Sequence, residues 1–150
     1  MSRLSEIPVR VELKKAKENN LAIAHRVLLD IKSLLADWLT TGHESAIDLK
    51  NVPKMQAATY QSLKSALAMG EVSMVIEAEV RIEIHETQYP GVWWLTHFNE
   101  KGDIVTEIIE IAQVPAILKP HPAEVKAGMK RLEQLLSESE WISNAPRTLN

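Results

Sequence analysis

Five histidines are spread along the chain, at His25, His43, His85, His97 and His121. Two of them stand where ligand chemistry is conceivable. His85 and His97 fall on segments that read as neighbouring strands, and Glu86 adjoins the first. Two imidazoles and a carboxylate would suit nickel or zinc by ligand type. On a regular strand, however, His85 and Glu86 point to opposite faces. No two histidines have the spacing that brings ligands together on one helical face. Surface or hydrogen-bonded structural histidines explain them better. Ser73 with a histidine and a carboxylate would make the parts of a nucleophilic triad, yet no strained turn presents that serine. Cysteine is absent, which excludes disulfides, thiolate nucleophiles and thiolate-bound metals. There is no Gly-rich phosphate loop, and the carboxylates are plentiful but not specifically spaced. The familiar catalytic templates fail.

The unusual feature is Tyr89-Pro90-Gly91-Val92-Trp93-Trp94, an aromatic turn running into a strand with two adjacent tryptophans. Consecutive strand residues face opposite ways, so one tryptophan can enter a core while its neighbour points away from it. An outward tryptophan beside an aromatic turn suits protein binding, because it offers large area at little cost in side-chain entropy. The alternative, equally open here, is that the second tryptophan is covered by the N-terminal arm or the C-terminal tail.

The elements that must position these residues follow from periodicity. From about residue 17 to 40, Ala24, Val27, Leu28, Ile31, Leu34, Leu35 and Trp38 recur in three- and four-residue steps, one stripe of an amphipathic helix that Gly42 can end. Residues 1–16 read as a loose arm or a short edge strand, and residues 46–49 as a short extended piece. A second helix begins at the Pro53 turn and ends near Met69, with Tyr60, Leu63 and Leu67 inward. The rhythm then changes to period two over four segments. These are Glu71 to Glu77, Val80 to His85, Val92 to Phe98, and Ile104 to Ala112. A third helix spans about 122–139, with Val125, Met129, Leu132 and Leu136 on one stripe. The expectation is a single α+β domain over residues 1–150, a four-stranded antiparallel meander covered on one face by about three helices. The Val/Met/Ile side of the strands should meet Val27, Ile31, Leu34, Leu63, Met129 and Leu132.

Composition limits the partners. The 150 residues are 45% hydrophobic and 25% charged, with a net charge of −3, the wrong sign for a dedicated nucleic-acid binder. Residues 71–113 hold nine acids against Arg81 and Lys101 alone. So acidic a centre could steer a basic partner, or be no more than the solvated face of a sheet. No apolar run is long enough to span a membrane. The N-terminal residues lack the apolar core of a secretory signal, so a cytoplasmic location is expected.

Three motifs carry a resemblance. Gly70-Glu71-Val72-Ser73, then Ile84-His85-Glu86-Thr87-Gln88-Tyr89-Pro90-Gly91-Val92-Trp93, then Ile109-Glu110-Ile111-Ala112-Gln113-Val114-Pro115 resemble the HupH/HyaF family of hydrogenase expression and formation proteins, in its C-terminal conserved region. The resemblance covers roughly residues 47–118, and the Glu-Thr…Pro-Gly-Val-Trp segment is its most specific part. Trp94 and Met69 depart from it, standing where a basic and a small residue are expected. The chain is also short, and family members often carry further sequence before this region. What the resemblance implies is an accessory chaperone, with no catalysis and no cofactor of its own. It would bind the large-subunit precursor of [NiFe] hydrogenase, and other maturation proteins, while the metal centre is installed. By that carry-over Glu71, Ser73, Glu86, Thr87, Pro90, Trp93 and Glu110 are candidates for partner contact, and Tyr89 and Trp94 join them from the aromatic turn. Gly70, Gly91, Val92 and Pro115 are candidates for structural roles. Two alternatives remain, a general interaction module that self-associates as a homodimer through the aromatic turn, and a nickel-handling protein using His85 and His97.

Overall fold

Strong helix formers (Glu, Leu, Lys and Ala) dominate residues 12–18, and they carry the first helix well beyond its apolar stripe. In the computed structural model, which describes the backbone of residues 3–138 and Ser143 and side chains from Glu12 onward among these, helix α1 runs Arg3–Thr41. The expected arm or edge strand over residues 1–16 is therefore helical from Arg3. Leu13 in that stretch is exposed and leaves no core stripe for periodicity to read. Further along, Ala24, Val27 and Ile31 are buried on one stripe. Gly42, with φ of +75°, ends the helix by donating its N–H to the Trp38 carbonyl, a left-handed stop open to a residue without Cβ.

Helix α2 spans Ala57–Leu67, so it starts at Gln56 as N-cap rather than at the Pro53 turn. Leu63 and Leu67 are buried, as is Thr59, whose hydroxyl donates to Asn20 Oδ1 of α1 at 3.0 Å. Truncating Leu63, which has no exposed surface, would cost about 2–5 kcal/mol by the usual loss of packing and residual cavity.

Among the described residues the sheet has five strands, not four. They are β1 Ser45–Asp48, β2 Ser73–Glu77, β3 Arg81–Glu86, β4 Val92–Phe98 and β5 Ile104–Ile111. All neighbours are antiparallel, in the order β1-β5-β4-β3-β2. The meander of β2 to β5 follows the period-two signal. The short extended piece before Pro53 becomes a fifth strand by pairing Ile47 with Ile109.

Register separates the two faces. Val92, Trp94, Ile109 and Ile111 share a core with Val27, Ile31, Leu63 and Leu67, so theirs is the side that α1 and α2 cover. Pairing of Glu83 with Thr96 and of His85 with Trp94 puts Glu83 and His85 on that side too. Ile82, Ile84, Trp93 and Leu95 lie on the other side, buried there. For α1 and α2, the expectation that the Val/Met/Ile side of β2 and β3 meets the helices is thus reversed. Their polar residues Ser73, Arg81, Glu83 and His85 fall on the side that α1 and α2 cover. β4 is buried on both faces, through Val92 and Trp94 on one and Trp93 and Leu95 on the other, and leaves open which face that is.

The chain forms two compact units, Met1–Pro115 and Ala116–Asn150. In the second, a 3₁₀ turn at Ala116–Leu118 precedes helix α3, Pro122–Ser137. Its start is built as a capping box. The His121 ring accepts from the Ala123 N–H at 3.2 Å, and Glu124 accepts from the His121 N–H at 3.0 Å, with Pro122 in the first turn where no N–H is needed. Met129 and Leu132 are more than half exposed, where the sequence suggested burial.

Candidate functional site

The three sequence motifs, far apart along the chain, meet at one end of the sheet. Gly70 donates its N–H to the Glu86 carbonyl at 2.7 Å, and Glu86 returns one to Val72 at 2.8 Å. A Cβ at Gly70 would stand 2.5 Å from the Thr87 carbonyl oxygen, so only glycine lets the backbones come this close. From the second motif, Ala112 N–H reaches the Gly91 carbonyl at 3.0 Å, and the Trp93 indole N–H donates to the Ala112 carbonyl at 3.0 Å. Trp93 also stands opposite Glu110 in the ladder. Pro115 closes the third motif, fully buried.

The turn between β3 and β4 is fixed from several directions. Val92 N–H closes onto the Tyr89 carbonyl at 3.0 Å, with Pro90 and Gly91 between them and φ of +84° at Gly91. That is the residue choice of a type II turn. Buried Thr87 braces it, its Oγ1 accepting from Tyr89 N–H at 3.2 Å. Gln88 ties the turn to the end of α2, its N–H bonding the Leu67 carbonyl at 2.9 Å and its side-chain amide the Ala66 carbonyl at 2.8 Å. The turn thereby satisfies helix-end carbonyls that would otherwise lack donors.

Burial divides the candidate contact residues. Glu71, Ser73, Tyr89 and Pro90 are exposed, and Glu86 and Glu110 are half-buried. Thr87, Trp93 and Trp94 are buried, at 2%, 6% and 1% exposure. Neither tryptophan points into solvent, so of the two readings left open the outward one falls. Trp94 joins the helix-side core, and Trp93 is enclosed on the opposite side with its N–H satisfied. The exposed ring of the motif is Tyr89, which with Leu28, Leu35, Leu39 and Leu67 lines a groove of about 440 Å³ along α1.

A second cluster lies on the helix side. Glu107, only 8% exposed, accepts from the Trp94 indole N–H at 2.5 Å and from the Thr96 hydroxyl at 3.1 Å. Tyr60 packs edge-on to Trp94 with centroids 5.6 Å apart. Burial first, then a hydrogen bond and charge repulsion from Glu107, push its phenol well above the usual value. The Lys64 ammonium lies 5.0 Å from the Tyr60 ring centre and 5.5 Å from that of Trp94, a cation held on two π faces. His85 runs parallel to Trp94 within 8°. Burial and then the Lys64 charge pull its pKa down, against smaller opposing effects of Glu107 and Glu83. His97 faces the other side of the sheet from His85, paired with Ile82, so the two histidines do not converge. Among the described residues no group of three or more His, Asp or Glu side chains is arranged to hold a metal. Sequence reasoning passed over Glu107, although a signal was there. The acid falls in step with Ile109 and Ile111, at a position where β5 turns inward.

Comparison with known proteins agrees with the motifs. A family model described as "HupH hydrogenase expression protein, C-terminal conserved region" matches residues 21–139. Hydrogenase expression/formation protein HupQ of Azotobacter chroococcum mcd 1 is 30% identical over 100 residues, covering 64% of this chain and 34% of that protein. Hydrogenase expression/formation protein HoxQ of Azotobacter vinelandii is 29% identical over 97 residues, or 65% of this chain and 33% of the relative. The chain thus spans about a third of the length of these curated relatives. The solved structure of hydrogenase expression protein HupH from Thiobacillus denitrificans ATCC 25259 superposes with a TM-score of 0.72 at 34% identity, over 76% of this chain and 94% of that one. No helix among the described residues is long and apolar enough to cross a membrane.

Proposed function

Since the chain belongs to the family of HupH hydrogenase expression proteins, we propose that it acts in hydrogenase maturation as a non-enzymatic accessory protein that binds the large-subunit precursor of a [NiFe] hydrogenase while the metal centre is assembled. The observation that carries this reading is the convergence of the three motifs. Their glycines, Thr87 and Gln88 are spent on holding one end of the sheet rigid, while Glu71, Ser73, Tyr89 and Pro90 are left facing solvent. Rigid presentation of a few exposed groups favours recognition, because little ordering entropy is lost on binding. The buried Glu107 cluster has its polar groups engaged with one another, and it serves the fold of this end better than any reaction.

The test is capture with this chain as bait, probing for the hydrogenase large subunit before and after its terminal processing. Selective capture of the unprocessed form is expected, weakened by Tyr89→Ala. Equal capture of both forms, or of neither, would refute the reading.

A further inference from the structure

The first motif leaves something over. Gly70 is explained by its approach to Thr87, but Glu71, Val72 and Ser73 are exposed, and they lead into β2, the last strand of the sheet. The ladder fixes which backbone groups of β2 are used. Glu86 N–H bonds the Val72 carbonyl, and Ala78 N–H approaches the Val80 carbonyl at 3.4 Å. In antiparallel alternation, the hydrogen-bonded pairs between are Met74 with Ile84 and Ile76 with Ile82,. The N–H and C=O groups of Ser73, Val75 and Glu77 therefore point outward, away from β3. These three residues are exposed, and among the described residues no strand pairs with that side.

Open edges are normally protected by lysine, proline, a bulge or a very short strand. The other edge, β1, is four residues long and ends in Asp48, whose carboxylate accepts from Lys50 N–H. β2 has no lysine, proline or bulge, its one charge is Glu77 at its end, and Val75 is half exposed in its middle. Its flanks say what fits. Glu71, Glu77 and Glu79 surround the strand, and the nearby cation Arg81 is already shared between Glu77 and Glu83. Antiparallel pairing with a second copy, centred on Val75, would set Glu71 of each copy beside Glu77 and Glu79 of the other. Like charges across a strand pair are unfavourable. A strand with basic residues at its ends meets the opposite sign.

We propose that the outer edge of β2, Ser73–Glu77, is a docking site that takes up an extended segment of the client protein as a sixth strand, a segment apolar at its centre and flanked by Lys or Arg. Backbone hydrogen bonds to Ser73, Val75 and Glu77 would supply the affinity, and the flanking acids the choice of partner. The identity of the client rests on the reading in the preceding subsection; the edge does not.

Val75→Pro is the decisive variant. Its lost N–H faces away from β3 and proline is tolerated on an outer edge, so the fold is kept while one bond and the approach of a strand are blocked. Glu71→Lys/Glu79→Lys is the second variant, altering charge alone at exposed positions. Two readouts run in parallel on the full chain. One is capture of the unprocessed large subunit, and the other is binding to a synthetic nine-residue strand peptide of alternating Val and Thr with two lysines at each end. Val75→Pro, with an unchanged melting profile, is expected to weaken both by about tenfold or more, from one lost hydrogen bond and the steric block. The double variant should weaken both by about fivefold, from two surface charge pairs. If folded Val75→Pro captures the large subunit as wild type does, the docking edge is refuted while the client reading stands. If wild type binds the peptide in a Val75-sensitive manner but captures no large subunit, the edge stands and the client reading falls. Binding of neither refutes both, and a β2-mediated homodimer that Val75→Pro dissolves would overturn the charge argument.

Discussion

Replacing Glu107 by alanine removes one carboxylate on which two buried donors depend. The Trp94 indole N–H, at 2.5 Å, and the Thr96 hydroxyl, at 3.1 Å, both lose their acceptor, and both residues are buried, so water cannot readily take its place. A hydrogen bond to a charged group contributes about 1.5–3 kcal/mol, which makes about 3–6 kcal/mol for the pair. Removing a carboxylate that is itself costly to bury returns part of that. The expected net loss is about 3 kcal/mol for Glu107→Ala, and about 1–2 kcal/mol for Glu107→Gln, which keeps one acceptor oxygen. Urea unfolding followed by tryptophan fluorescence is the assay. With a slope of about 2 kcal/mol per molar, the alanine variant should unfold at about 1.5 M lower urea. Both variants lying within about 0.5 kcal/mol of wild type would refute the cluster as a support of the fold, since that is the range of an ordinary surface substitution.

Two further outcomes follow from backbone and ionisation. Gly70→Ala places a methyl group 2.5 Å from the Thr87 carbonyl oxygen, whereas the same change at Gly42 meets open space and only a positive φ. Gly70→Ala should therefore cost more than the roughly 1 kcal/mol of Gly42→Ala in the same denaturation measurement, and equal losses would show that β3 yields without strain. Because Tyr60 keeps its proton in the folded state to higher pH than in the unfolded chain, the unfolded state binds fewer protons above the ordinary tyrosine pKa. Stability should then fall as pH rises through about 10, and Tyr60→Phe should remove that slope; an unchanged alkaline slope in the variant would contradict it.

How much was legible beforehand follows from where the signals came from. Periodicity located β2 to β5, the core stripe of α1 at Val27 and Ile31, and the inward residues Leu63 and Leu67, because each depends on local alternation of apolar and polar side chains. It left β1 as an extended fragment, since a strand of four residues is defined by its partner Ile108–Ile111 and not by its own pattern. It also chose the wrong side of Ile82 and Ile84. Alternation within β3 favours its Ile82 and Ile84 side for the helices, whereas the core membership of Trp94, opposite His85, shows that α1 and α2 cover the other. Of the candidate site, the motifs marked residues that truly come together. At Trp93 and Trp94 the sequence left an outward and a covered ring equally open, and both indole N–H groups are satisfied inside the molecule. The Gln88 tie to the α2 carbonyls depends on a three-dimensional meeting that no spacing along the chain announces.

The pairing of β1 with β5 has a consequence for the order of assembly. The hairpins joining β2 to β5 close over a few residues each, but Ile47 finds Ile109 only after the whole intervening chain has been arranged. Loop-closure entropy makes such a contact late. A chain that has formed its meander but not yet recruited β1 would carry two bare strand edges at once, β2 on one side and β5 on the other. In that interval the molecule is itself a candidate for misassembly, and the speed with which α1 delivers β1 to β5 sets how long the exposure lasts.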